Sequence, residues 1–257
     1  MINNSYLAFD FDGVIVDSLN ECMVVGYNAF SNYQGNNKRI FSPQDIPPTI
    51  LDNAIYLRNY IRSGYDYVYI FFILENEIQI KDQHQFDSFT EKHRHLQDEF
   101  EKIFYKQRHF LFLEHHELWV KLNPFYQGVA DLIKPVFAAH QGCIISTKKS
   151  SYIASLLQAN NISLDSNLIY HAGKGRSKRN IIIQLLQKQS ISPANFYFIE
   201  DQIDTLIKLQ DLKINSMLAE WGYNTNAQQQ IAHENDIPVI SLNKISSQFP
   251  LTAKWPA

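Results

Sequence analysis

Apolar residues along this chain fall into two patterns. Short continuous runs bounded by polar or turn residues read as buried strands, while stripes spaced by three and four read as helices. The first run is Ser5-Tyr6-Leu7-Ala8-Phe9. The others come after residue 141: Cys143-Ile144-Ile145 behind Gly142, Asn167 to Tyr170, Phe196 to Ile199, Asn215 to Leu218, and Pro238 to Ser241. Helical stripes alternate with them. Val129, Leu132, Ile133 and Val136 form one, and Ile153, Leu156 and Leu157 within 151–160 another. Residues 180–186 and 227–233 give two more. Repeated strand-helix units predict an α/β core, a parallel sheet covered by helices on both faces.

Between the first strand and the second, the pattern changes. Ser18 and Glu21 have the spacing of a capping box, and a mostly apolar helix is expected through Phe30. Residues 31–48 carry Gly35, Pro43 and the Pro47-Pro48 pair and read as loop. Leu51, Ile55, Arg58 and Arg62 mark a helix with mixed faces. Tyr67, Ile70, Phe71 and Leu74 suit a helix, with a strand as the alternative. Phe89, His93, Leu96, Phe100, Ile103 and Phe104 form a long helical stripe, and Leu111 to Leu122 continues it. This stretch is too long for a plain crossover. It predicts an inserted all-helical domain over 18–122, with the α/β core made from 1–17 and 123–257. Asn123-Pro124-Phe125-Tyr126-Gln127-Gly128 is the punctuated return. The end of the chain, from Ser246, reads as an irregular tail.

Composition narrows the function classes. With 257 residues and 45% hydrophobic content the chain can bury a sizeable core. A formal net charge of -3 does not advertise nucleic-acid binding. Cys22 and Cys143 offer no disulfide framework, and neither lies in a metal-binding cluster. The N-terminus lacks a basic region followed by a long apolar one, so no signal peptide is expected. The longest apolar run, Tyr67 to Leu74, is too short to cross a bilayer. A cytoplasmic protein with no membrane partner is the expectation. No internal repeat stands out.

Candidate chemistry gathers at the predicted strand ends. Behind the first strand stand Asp10 and Asp12, two positions apart, followed at once by Gly13. In an extended chain that spacing points both carboxylates to one face. Like charges so close favour a cation or a shared proton. Gly13 lets the chain turn there at little steric cost. Behind the second strand come Ser146-Thr147-Lys148-Lys149-Ser150, hydroxyls and amines that suit an oxyanion. Gly173 to Arg179 is the most basic stretch, and Lys178 within it opens a helix. The strand Phe196 to Ile199 runs into Glu200-Asp201, with Asp204 one helical turn on. Hard oxygen ligands at a strand end suit magnesium, which takes few carboxylates and keeps waters.

This ordered set of acid, hydroxyl, lysine and acid resembles the haloacid dehalogenase superfamily of phosphohydrolases. Asp10-Phe11-Asp12-Gly13-Val14-Ile15-Val16-Asp17-Ser18, Ile144-Ile145-Ser146-Thr147, Lys178 and Phe198 to Asp204 carry the likeness. The likeness implies a Rossmann-like core, with the inserted helices as a cap between the first and second motifs. It implies a nucleophile and magnesium ligand in Asp10, and a general acid and base in Asp12 whose backbone carbonyl also meets the metal. Thr147 would hold the phosphoryl group, or Ser146 if the alignment slips by one. Lys178 would bind phosphate, with Lys174 its rival. Gly13 belongs to the phosphate-binding turn. Asp201 would hold magnesium, with Glu200 or Asp204 supplementing it. Asp204 follows Asp201 by three residues rather than the commoner four, and Glu200 stands where many relatives have glycine or another acid.

The implied activity is a magnesium-dependent phosphatase that hydrolyses a small phosphorylated metabolite through an aspartyl phosphate. The alternatives are a phosphotransferase or phosphomutase using the same intermediate, and a non-catalytic phosphate-binding protein. Monomer and homodimer are not distinguished. His84, His93, His95, His109, His115 and His116 in the inserted region raise a second metal site against surface or packing roles, and the latter are expected.

Overall fold

The computed structural model describes residues 5–173 and 175–244. Packing divides the chain into two units. One runs to Asp17 and resumes at Phe125, and the other is Ser18–Pro124. The tail from Ser246 and Lys174 lie outside the described residues.

The chain opens with strand β1, Tyr6–Phe9, buried at every position. The helical unit follows. Its helices are α1 (Leu19–Tyr33), α2 (Pro48–Leu57), α3 (Asp66–Glu75), α4 (Gln83–Lys92), α5 (Gln97–Glu114) and α6 (His116–Lys121). The stretch 67–74 is helix, not strand, and it is buried on nearly all sides, which is why its periodicity was weak. Residues 89–104 belong to two helices, not one. A 3-10 turn at Arg94–Leu96 separates them, and His93 folds back so that its Nδ1 lies 2.9 Å from the Phe89 carbonyl oxygen. Arg62 lies beyond α2, which gives way to a 3-10 turn at Arg58–Tyr60.

The expected capping box does not form. Ser18 stands at the N-cap of α1 but makes no side-chain capping bond, and Glu21 is fully buried. A carboxylate out of water needs a cation more than it needs one amide. Arg108, from α5, supplies it: Nε donates to Glu21 Oε1 at 2.9 Å and Nη2 to Oε2 at 2.8 Å. Three histidines of this unit lie against aromatic rings. The ring centroids of His93 and Phe89 are 4.2 Å apart, those of His115 and Phe41 4.6 Å, and those of His116 and Phe112 5.3 Å.

After Phe125 the strand-helix alternation is regular. It runs α7 (Val129–Ala138), β2 (Gly142–Ser146), α8 (Ser150–Ala159), β3 (Ile169–His171), α9 (Lys178–Lys188) and β4 (Phe196–Glu200). It then continues through α10 (Ile203–Ile207), β5 (Asn215–Ala219), α11 (Asn226–Glu234) and β6 (Val239–Ile240). All pairings are parallel, in the order β3-β2-β1-β4-β5-β6. Ala8, Cys143, Ile145, Phe196, Phe198 and Leu218 build one core layer from four of these strands. Successive strands add outward from β1 on one side and from β4 on the other. The order therefore reverses between β1 and β4, which is where open parallel sheets leave a crevice beyond their carboxyl ends. Phe9 pairs with Ile199 across that junction, so Asp10 and Glu200 emerge side by side. Among the described residues, no helix is long and apolar enough to cross a membrane.

Candidate active site

β1 ends at Phe9, and the two aspartates behind it part company. The Asp10 amide still donates to the Ile199 carbonyl, at 2.9 Å. The chain then folds into a tight turn in which the Phe11 carbonyl accepts amides from Ile15 at 2.9 Å and Val16 at 3.0 Å. Gly13 sits in this turn at φ +83°, and a Cβ there would stand 2.2 Å from Asp201 Oδ2. The position thus needs glycine both for its left-handed backbone and for room beside a carboxylate. Extended spacing would have put Asp10 and Asp12 on one face. The turn instead sends Asp10 toward Lys178 and Asp12 toward Lys148.

Asp10 joins two carboxylates from the end of β4. Oxygens of Asp10, Glu200 and Asp201 lie within 4.8 Å of one another, and all three residues are buried. Lys178, the first residue of α9, reaches in with Nζ 2.6 Å from Glu200 Oε2 and 3.1 Å from Asp10 Oδ2. Ser177 caps that helix by accepting the Asn180 amide, which fixes where the lysine starts. Glu200 Oε1 accepts the amides of Asp201 and Gln202, each at 3.1 Å. Asp201 Oδ2 accepts the Tyr223 amide at 3.1 Å, and Gly222 packs so closely that a Cβ would lie 2.3 Å from the Asp201 Cβ. The loop after β5 also reaches the first turn. Trp221 Nε1 donates to the Val14 carbonyl at 3.1 Å, and the Tyr223 hydroxyl to Asp17 Oδ1 at 2.7 Å.

Three buried carboxylates gather and one ammonium touches two of them, so the charge does not balance. Burial pushes Asp10 up to about 7, with Lys178 pulling it down and Glu200 and Asp12 pushing it further up. Burial likewise pushes Glu200 up to about 7, against the same lysine. For Lys178 burial acts downward, but the charges of Asp10 and Glu200 outweigh it and raise its pKa above the ordinary lysine value. Asp10 Oδ1 is buried and has no hydrogen-bond partner among the described residues. An unsatisfied carboxylate oxygen within an excess of negative charge fits a hard divalent cation, and the all-oxygen donor set suits magnesium.

The remaining expected residues divide. Ser146 ends β2 and is buried, its Oγ accepting the Lys148 amide at 3.3 Å, whereas Thr147 is exposed. Asp204 lies in the first turn of α10 and is not one of the three gathered carboxylates. Lys148 was not singled out in the sequence. Its side chain is buried, and Nζ donates to Asp12 Oδ1 at 2.8 Å. The only sequence signal for it is its place two residues beyond Ser146, at a strand end. Among the described residues, no histidine joins a group able to hold a metal ion.

No family model matches the chain, and no curated protein matches it. Solved structures do. A haloacid dehalogenase-like hydrolase from Streptococcus pneumoniae superposes with a TM-score of 0.59 at 14% identity, over 96% of this chain and 98% of that one. The chain has the haloacid dehalogenase-like fold, with an inserted helical region. A protein from Haemophilus somnus, described as a predicted phosphoglycolate phosphatase, matches at TM-score 0.61 and 16% identity, over 96% and 98% of the two chains. A haloacid dehalogenase-like protein of unknown function from Agrobacterium tumefaciens gives 0.55 and 17%, with the same coverage. Coverage near the full length means that the haloacid dehalogenase-like likeness includes the helical insertion as well as the sheet.

Proposed function

We propose that this chain is a magnesium-dependent phosphatase for a small phosphorylated metabolite, working through a phosphoaspartate on Asp10. The observation that carries the reading is the charge-unbalanced cluster of Asp10, Glu200 and Asp201, with Lys178 against the first two, at the carboxyl ends of β1 and β4. Asp10 and Asp201 would hold the metal with the backbone carbonyl of Asp12, and Glu200 would supplement them. When bound, the ion would neutralise carboxylate charge and polarise phosphoryl oxygens.

The chain's own residues supply the rest. A carboxylate oxygen of Asp10 attacks phosphorus, and Asp12 gives its proton to the departing oxygen. Asp12 then takes a proton from water as the water oxygen attacks phosphorus and frees Asp10. Lys178 offsets charge on the phosphoryl oxygens. Ser146, buried at the strand end, is the better hydroxyl for that group than the exposed Thr147. The inserted helices would select the substrate. A net charge of -3 favours a small substrate over nucleic acid, and a cytoplasmic location is proposed with it.

A screen of phosphorylated metabolites with magnesium tests the reading, and the description of the Haemophilus protein makes phosphoglycolate one member of the screen. Release of inorganic phosphate that stops on chelation and returns with magnesium is the expected result. Full activity after exhaustive metal removal would contradict it.

A further inference from the structure

We infer that Lys148 is a positioning residue for Asp12, fixing the orientation of the acid-base carboxylate from beneath. The inference rests on the phosphatase reading of the site. Lysine side chains are rarely buried completely without a partner. That of Lys148 is 0% exposed, against 23% for Asp12, and the two meet at 2.8 Å across a separation of 136 residues. An ammonium with no exposed surface is badly placed to touch substrate, so its effect must pass through Asp12.

The root of the lysine is held firmly. Its amide donates to Ser146 Oγ at 3.3 Å, and its carbonyl oxygen lies 3.2 Å from His171 Nδ1 at the end of β3. β2 and β3 thus set where the ammonium stands. The two aspartates of the first turn therefore have separate lysines: Lys178 beside Asp10, and Lys148 beside Asp12. Because Nζ donates to Oδ1, the proton that Asp12 exchanges rides on Oδ2. In the first step Oδ2–H passes its proton to the leaving oxygen while the bond from that oxygen to phosphorus breaks and the Asp10–phosphorus bond forms. In the second, Oδ2 takes a proton from water as the water oxygen bonds to phosphorus and the Asp10 bond breaks. Both transfers need the carboxyl at hydrogen-bond distance from the reacting oxygen.

The test compares phenyl phosphate, a poor leaving group, with dinitrophenyl phosphate, which leaves without help from an acid. Both are run with magnesium on the wild-type chain and on Lys148→Met and Lys148→Arg. For Lys148→Met, kcat on phenyl phosphate should fall about a hundredfold, the scale of an ångström of misplacement. The first-turnover burst of dinitrophenolate should fall by only about threefold, because that step draws little on the acid. KM and the magnesium affinity measured by calorimetry should move little, and Lys148→Arg should recover part of the loss by restoring the charge. In an Asp12→Asn background, Lys148→Met should add no further loss to the burst. That double variant also removes both halves of the pair, so it carries the test if Lys148→Met alone fails to fold.

Equal losses on both substrates, a gain in rate, or an additive loss in the Asp12→Asn background would overturn the inference. A wild-type chain inactive on both substrates would overturn the phosphatase reading, and this inference with it.

Discussion

Each of the two units buries charge, and they do it differently. In the helical unit Glu21 and Arg108 face each other through two hydrogen bonds, one carboxylate against one guanidinium, and Arg108 Nη2 also donates to Cys22 Sγ at 3.0 Å. In the sheet unit Asp10, Glu200 and Asp201 gather, and a single ammonium reaches two of them, Asp10 and Glu200. The first group is balanced and bidentate, which is how a buried ion pair survives the cost of leaving water. The second carries surplus negative charge at a strand-end crevice, where no fold needs it. A balanced pair reads as architecture, and an unbalanced cluster reads as a site suited to a cation.

The widest separation should come from Asp10→Asn. It keeps the size of the side chain and removes the proposed nucleophile, so turnover should fall by at least about a thousandfold. In metal-free protein the same change should leave stability equal or raise it, since it removes one of the surplus buried charges. A thermal melt alongside the kinetics checks both halves. Arg108→Met should do the opposite to stability. It strands Glu21 in the interior and should cost about 3–5 kcal/mol in a denaturant titration.

Gly13→Ala should come next. It forces a Cβ to 2.2 Å from Asp201 Oδ2 at φ +83°, and should weaken magnesium binding more than it lowers the melting temperature. Calorimetric titration with the metal checks it. An unchanged affinity would show that the turn can move away from Asp201.

The comparison also bears on pH. Burial raises Asp10 and Glu200 to about 7, well above their values in an unfolded chain. Between roughly pH 4 and 7 the folded metal-free protein therefore holds more protons than the unfolded one. Its stability should fall as pH rises through that window and level off above it. Saturating magnesium should flatten the fall, because the cation replaces the protons. A metal-free protein that gains stability over the same window would break the comparison.

Much of the sheet unit was legible in the sequence because its strands are continuous buried runs closed by turn residues. Asp10, Gly13, Lys178, Glu200 and Asp201 were readable as chemistry at strand ends. Two things were not. Ser18 and Glu21 have capping-box spacing, yet Glu21 turns to Arg108, a partner 87 residues away that nothing local reveals. Lys148 stood in a row of hydroxyls and amines whose partners could not be told apart until the fold brought Asp12 beside it. Helix breaks in the inserted unit were hidden for a related reason. Aromatic residues there are buried on many sides, so the stripe through 89–104 runs across the turn at Arg94–Leu96 without a change of period.

On the proposed phosphatase reading, the Asp10 carboxylate beside Lys178 is the phosphoryl acceptor. Asp12→Asn, mixed with dinitrophenyl phosphate and magnesium and stopped by rapid quench, tests it most directly. The variant retains the proposed nucleophile and loses the proposed base, so the covalent form should accumulate. Peptide mass analysis should then find the phosphoryl group on Asp10, and none in an Asp10→Asn control. A phosphoryl group on Asp12 in that control, or unimpaired turnover of the wild type with no labelled residue, would contradict the account.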